Sequence, residues 1–304
     1  MPLHDGPHVS ETQPRVRRSL FANYPIAADV GSPEGRPADA PVEEARPVRR
    51  ELAEYAGMRC FLCQFLARAL AYPEEASWTW VTSRETRDAV RVIAESPLWA
   101  GEGFRGAAQA VADALVPEAF GGYHDAYVSA IGHAARGSCP INEIEYGDLG
   151  ADPLLQPHRL ADLAAFYRAF GMELVGDGGE RQDHLGVELE FLAVLCGQEA
   201  HALEQHVPDD LLEVNLDAQR RFLREHLGRW SITFARRLES VIADEPLRTV
   251  ARFVAAFVEE ECRRAGVPAG GTDVALRPAD AEASLCDSCG IRQALPGGQP
   301  RMED

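Results

Sequence analysis

Two segments concentrate groups able to accept charge or hydrogen bonds. The first is Cys139-Pro140-Ile141-Asn142-Glu143-Ile144-Glu145-Tyr146-Gly147. It lies in an irregular stretch, Ser138 to Pro157, inside an otherwise helical chain, and Gly132 to Gln156 holds four acids and one arginine. The second is Glu180-Arg181-Gln182-Asp183-His184-Leu185-Gly186-Val187-Glu188-Leu189-Glu190-Phe191-Leu192, whose acids arrive just as a helix begins. Carboxylates there are favoured by the helix macrodipole. His184 and Glu188 stand at i, i+4 on one face, as do Asp183, Val187 and Glu190. Two chemistries fit. Asp183 is either a helix cap, with His184 and Glu188 a solvated pair, or part of an acidic recess that takes an arginine from a partner. Leu185, Leu189 and Leu192 fall at i, i+4, i+7 and are expected in the core, on a different stripe from Asp183 and Glu190.

Other chemistries are thinly supported. The H-E-x-x-H arrangement of zinc hydrolases is absent, and His201 and His206 lie too far along the helix to converge with His184. Cys60-x-x-Cys63 sits in an amphipathic helix, where cysteine packs as a small apolar residue. Cys286-Asp287-Ser288-Cys289 has the spacing of metal or redox knuckles. With Cys139 it defines the rival reading, an accessory protein handling iron–sulfur or zinc. No Gly-rich phosphate loop and no G-x-S-x-G elbow occur. All 30 basic residues are arginine, which removes Schiff-base and P-loop lysine chemistry. No catalytic residue, resident metal or cofactor is expected.

The elements that must position these groups are helical. Leu52, Tyr55, Ala56, Cys60, Cys63, Leu66 and Leu70 recur at helical steps from Glu51, and Pro73 closes that helix. Further helices are predicted near 83–95, 104–116, 117–131, 157–171, 182–205, 209–227, 230–244 and 246–265, with Gly171 as a C-cap and Pro208 and Pro246 near first turns. Alternating strand patterns are nearly absent. The expectation is an all-α, single multi-helix domain over 49–266, between a disordered tail at 1–48 and a flexible tail at 267–304 that carries the Cys-x-x-Cys. The 304 residues hold 48 acids and carry a net charge of −18, which disfavours nucleic acid and favours a basic partner. No apolar run approaches the roughly 20 residues of a membrane span, and no apolar segment of a secretory leader follows the N-terminal charges. A reduced, cytoplasmic setting is expected.

At these segments the chain resembles the TorD/DmsD/NarJ family of redox-enzyme maturation chaperones. The resemblance rests on the C-P-x-x-E-x-E-Y-G loop at 139–147, the R-x-D-H-x-x-x-E-L-E-F-L helix start at 181–192, and the intervening Leu160–Gly171 stretch. It covers roughly 50–265, and its form is most similar to the branch serving molybdoenzymes of the DMSO-reductase type. It implies an all-helical, non-catalytic cytoplasmic protein, monomer or dimer. Such a protein binds the twin-arginine signal peptide, or the apo form, of a molybdoenzyme catalytic subunit, and holds it until cofactor insertion and export or assembly. It implies a client groove lined by Pro140, Glu143, Tyr146, Asp183, His184, Glu188 and Glu190. Two departures stand out: family members often carry proline where Gln182 stands and an aromatic where Ile131 stands, which bears on Tyr123 and Tyr127 as a groove wall. Arg17-Arg18-Ser19-Leu20-Phe21 loosely mimics a twin-arginine motif but lacks the following apolar run. A net-negative chaperone and an arginine-bearing, otherwise apolar peptide are electrostatic complements, and the apolar part would need a hydrophobic groove.

Overall fold

The computed structural model describes residues 41–132, 137–147, 155–174, 180–271 and 274–276. Among them the chain is all-α, with ten helices: α1 Pro41–Leu70, α2 Glu75–Thr82, α3 Arg84–Ala94, α4 Glu102–Ala114, α5 Phe120–Ala130, α6 Leu155–Ala169, α7 Leu185–Glu204, α8 Asp209–Glu225, α9 Leu227–Val241 and α10 Glu245–Ala265. α7 packs along α1, α10 along α9 and α4, and α8 against α7 and α9. One apolar core joins them, built on Leu62, Phe65, Phe191, Leu192, Phe222, Phe234, Phe253 and Phe257. Leu185, Leu189 and Leu192 are all fully buried, as their helical phase requires.

Sequence signals account for several helix ends. Pro73 stops α1, and its last carbonyls find partners in two buried hydroxyls: Tyr123 Oη donates to the Ala69 carbonyl and Tyr127 Oη to that of Leu70, at 3.0 Å. That is where the two tyrosines point, so α1 rather than a groove holds them. Ser83 Oγ accepts from the Thr86 amide at 3.1 Å and caps α3. Asp244 Oδ1 accepts from the Leu247 amide at 2.9 Å and caps α10, with Pro246 in the first turn and Gly266 at φ 67° closing the end. Gly171 adopts φ 75° just past α6.

The structure corrects four details. α2 occupies residues for which no helix was predicted; eight residues are too few to show a period. α7 begins at Leu185 rather than 182, because the residues before it bond to the acidic loop. α1 begins at Pro41, ten residues before Glu51 and across the 48/49 boundary, with Pro47 inside it. Leu52, placed on the core face by periodicity, is 46% exposed. Arg49 Nη2 ties this end to α8 through Asp209 Oδ1 at 2.6 Å. Finally, the first part of the C-terminal tail is docked. The Gly270 and Gly271 amides donate to the Gly228 and Arg229 carbonyls, each at 2.9 Å. Strand β2, Ala275–Leu276, then pairs antiparallel with β1, Tyr146–Gly147. A two-residue strand carries no alternation to read. Residues 1–40 and 277–304, with Cys286 and Cys289, lie outside the described residues. Among the described residues, no helix is long and apolar enough to cross a membrane.

Candidate functional site

The two acceptor-rich segments form one site. The Glu143 amide donates to the Asp183 carbonyl at 2.8 Å, and the Leu185 amide donates to the Ile141 carbonyl at 3.0 Å. Asn142 and His184 make an antiparallel bridge. The loop thus lies against the start of α7 as a short extended pairing, and the carboxylates of both segments converge beneath it.

Asp183 is fully buried and turns to the loop instead of capping α7. The Ile144 amide donates to its Oδ2 at 3.3 Å and Asn142 Nδ2 to its Oδ1 at 3.4 Å. Arg181 grips it with two bonds, Nε to Oδ1 at 3.0 Å and Nη2 to Oδ2 at 3.1 Å. Burial pushes this carboxyl up from its ordinary range, against the opposing pull of Arg181 and the Ile144 amide. The cap of α7 is His184, whose Nδ1 accepts from the Gly186 amide at 3.0 Å. An accepting Nδ1 requires the neutral ring, and burial lowers the His184 pKa in the same sense. Both sequence readings of Asp183 and His184 as cap and solvated pair are therefore corrected: the cap has moved one residue, and His184 and Glu188 are both buried.

Glu143 is also fully buried. Its Oε1 accepts from Arg159 Nη1 at 2.9 Å, and its Oε2 lies 3.0 Å from His226 Nδ1. The other nitrogen of His226 is 3.3 Å from Asp162 Oδ2 on α6. Glu188, one turn into α7, accepts from Trp230 Nε1 at 3.1 and 3.2 Å. Burial, then the nearby Glu143 charge, raises its pKa well above the carboxylate range, with Trp230 opposing. Tyr146 is buried with its ring 5.2 Å from that of Trp230, and its hydroxyl donates to the carbonyl of the buried Pro140 at 2.8 Å. Glu190 is half-buried and, with Glu188, Glu143 and Asp183, adds to the burial that drives the Tyr167 pKa far up. The Tyr167 hydroxyl donates to the Gln182 carbonyl at 2.7 Å, and Gln182 Nε2 to that of Leu160 at 2.9 Å. In this chain Gln182 thus anchors the helix start to α6.

The sequence reading missed Arg159, Asp162, Tyr167, His226 and Trp230, which lie on α6 and at the α8–α9 junction. Arg181 stood in the quoted R-x-D-H pattern without a role. Cys139 is buried, with Sγ 3.7 Å from both Tyr146 Oη and the Phe234 carbonyl, and burial pushes its thiol up to about 11. Such a thiol is a poor ligand or nucleophile at neutral pH. Among the described residues no three His, Cys, Asp or Glu side chains converge to hold a metal ion.

The Glu188 environment has a measurable consequence. A carboxyl whose folded pKa is raised stabilises the fold fully below its unfolded pKa, and that contribution is lost as pH rises through the folded pKa. Glu188→Gln keeps an acceptor for Trp230 and removes the titration. Urea unfolding should show the variant gaining on the native protein as pH rises above about 4.5, by about 1–3 kcal/mol. A gain that shrinks with rising pH would mean the carboxylate is stabilised as an anion.

Comparison with known proteins supports the resemblance. A family model described as the nitrate reductase delta subunit matches residues 100–236, a span containing every site residue named above. A selenate reductase assembly chaperone protein of Thauera selenatis is 45% identical over 93 residues, 31% of this chain and 44% of that protein. A chlorate reductase assembly chaperone protein of Ideonella dechloratans is 41% identical over 91 residues, 30% of this chain and 43% of that protein. A perchlorate reductase assembly chaperone protein of Dechloromonas aromatica (strain RCB) is 30% identical over 109 residues, 34% of this chain and 47% of that protein. Over these stretches the chain is similar to the nitrate reductase delta subunit family and to reductase assembly chaperones. The matched stretches span less than half the length of each of these relatives.

Proposed function

We propose that this protein is a non-catalytic cytoplasmic assembly chaperone for a molybdenum-containing reductase of the DMSO-reductase type. It holds the catalytic subunit, through its twin-arginine leader or in its apo form, until cofactor is inserted. The observation that carries this reading is the 45% identity to a selenate reductase assembly chaperone. The site supports it: Glu143 and Asp183 are joined through the backbone, so two carboxylates are held at one place, suited to a pair of neighbouring guanidinium groups. The net charge of −18 favours capture of a cationic leader.

Asp183→Asn tests the site. The amide preserves shape and an acceptor for the Ile144 amide but removes the charge. Binding of a fluorescein-labelled synthetic twin-arginine leader peptide should weaken about ten- to a hundredfold, the equivalent of one charge-assisted bond. Thermal melts on the same samples report folding. Unchanged peptide affinity would place the leader site elsewhere on the molecule.

A further inference from the structure

Both carboxylates of the site already carry a guanidinium. Arg181 forks onto Asp183 with two bonds of 3.0 and 3.1 Å, and Arg159 reaches Glu143 at 2.9 Å. The burial of these pairs is lopsided. The Arg181 side chain is 50% exposed over a fully buried Asp183, and that of Arg159 is 34% exposed over a fully buried Glu143. Arg59 shows the contrasting case, a guanidinium and its acids all inside the core. At the site the acids are sealed in while their cations reach solvent, on a loop residue and on the second turn of α6.

A buried carboxylate stripped of its partner is strongly unfavourable, so it cannot wait empty for a ligand. Exchanging one guanidinium for another avoids that cost, because the acid passes from one fork to an equivalent one. We propose that Arg181 and Arg159 are internal stand-ins for the arginine pair of a leader peptide, which binds by displacing them from Asp183 and Glu143. This rests on the reading above that these acids receive the leader. It adds that two of the chain's own arginines compete for the site and hold its affinity down. It also gives the site a reason to prefer arginine to lysine: Asp183 is set to accept a planar two-bond fork, which an ammonium cannot supply.

The test uses the full chain and a labelled twin-arginine peptide, with a Lys-Lys counterpart, in fluorescence polarisation. Arg181→Gln and Arg159→Gln should each bind the Arg-Arg peptide about three- to tenfold tighter than the native protein, since a partly exposed ion pair no longer has to open. Arg181→Lys, which keeps the charge but loses the fork, should also bind tighter and guards against a folding defect in the neutral variants. Arg236→Gln removes an exposed arginine paired with Glu259 on α10 and bonded to neither Asp183 nor Glu143; it should bind as the native protein does, which excludes a general charge effect. If Asp183→Asn weakens binding while the Arg181 and Arg159 variants bind equally or more weakly than the native protein, the stand-in role is wrong and the leader site survives. If native and Asp183→Asn proteins bind alike, both the site and the stand-ins fall.

Discussion

Arg59→Ala should destabilise the protein by about 3–5 kcal/mol, the cost of leaving buried acids without their cation. Arg59 lies midway along α1 and is fully buried. Its Nε and Nη2 donate to the two oxygens of Glu261 on α10 at 2.8 and 2.7 Å, and its Nη1 to Glu199 on α7 at 2.6 Å. Nη2 also reaches Gln219 on α8 at 2.6 Å. Gln219 in turn donates to Glu199 at 2.8 Å and to Asn215 at 2.7 Å, and Asn215 donates to the Leu195 carbonyl at 3.2 Å. One guanidinium therefore fixes the relative position of four helices. Burial alone would raise the Glu261 pKa; Arg59 and Arg264 outweigh it and hold the carboxyl below its ordinary value. A depressed folded pKa gives stability that is present above the unfolded pKa and is lost as pH falls through the folded one. The penalty of Arg59→Ala should thus be largest near neutrality and shrink in acid, where Glu261 protonates. Arg59→Met restores most of the volume without the charge and should remain destabilising by a similar amount. Urea unfolding of all three proteins at several pH values measures this. A loss under about 1 kcal/mol at neutral pH would show that water or Arg264 takes over the acids.

None of this network was legible in the sequence, whereas the architecture largely was. The apolar period of α1, the Pro73 stop, the proline starts near Pro208 and Pro246 and the Leu185–Leu189–Leu192 stripe are local signals, and local physics decides them. Arg59 falls one residue before Cys60 in the helix, and nothing in its local spacing marks it as a core residue. Only the arrival of Glu199, Gln219 and Glu261 from three distant helices makes it a core residue. The site divides the same way. The dense acceptors at 139–147 and 180–192 marked the right segments, and the resemblance joined them. Which acid is sealed and which arginine covers it depends on α6 and the α8–α9 junction, 16 to 83 residues away in the chain for the bonds of Glu143 and Asp162. Residue type could not separate Asp183 from His184 as the cap, since either side chain can accept an amide; the approach of the Ile144 amide and Arg181 to Asp183 decides it.

Trp230→Ala should cost about 3–5 kcal/mol, and the two parts of that cost can be separated. The indole is fully buried, 5.2 Å from the Tyr146 ring and 5.9 Å from Phe234, so its loss leaves a cavity beneath the loop that carries Glu143. It is also the donor to Glu188, at 3.1 and 3.2 Å. Trp230→Phe retains most of the apolar surface and removes only the N–H, leaving a buried carboxyl without that partner at about 1–3 kcal/mol. A double-mutant cycle of Trp230→Phe with Glu188→Leu isolates the bond, because in the double variant neither partner remains to be unsatisfied. Coupling of about 1 kcal/mol or more is expected, so the double variant should be more stable than the sum of the two single losses allows. Zero coupling would mean that Trp230 acts by packing alone. Tyr146, Trp230 and Glu188 link the acidic loop to α9 and α7, so under the proposed function Trp230→Ala should weaken leader binding in addition to stability, while Trp230→Phe, which keeps the ring stack, should weaken it less. Equal losses of peptide affinity in the two variants would instead assign the loop's position to the Glu188 bond and not to the stacked rings.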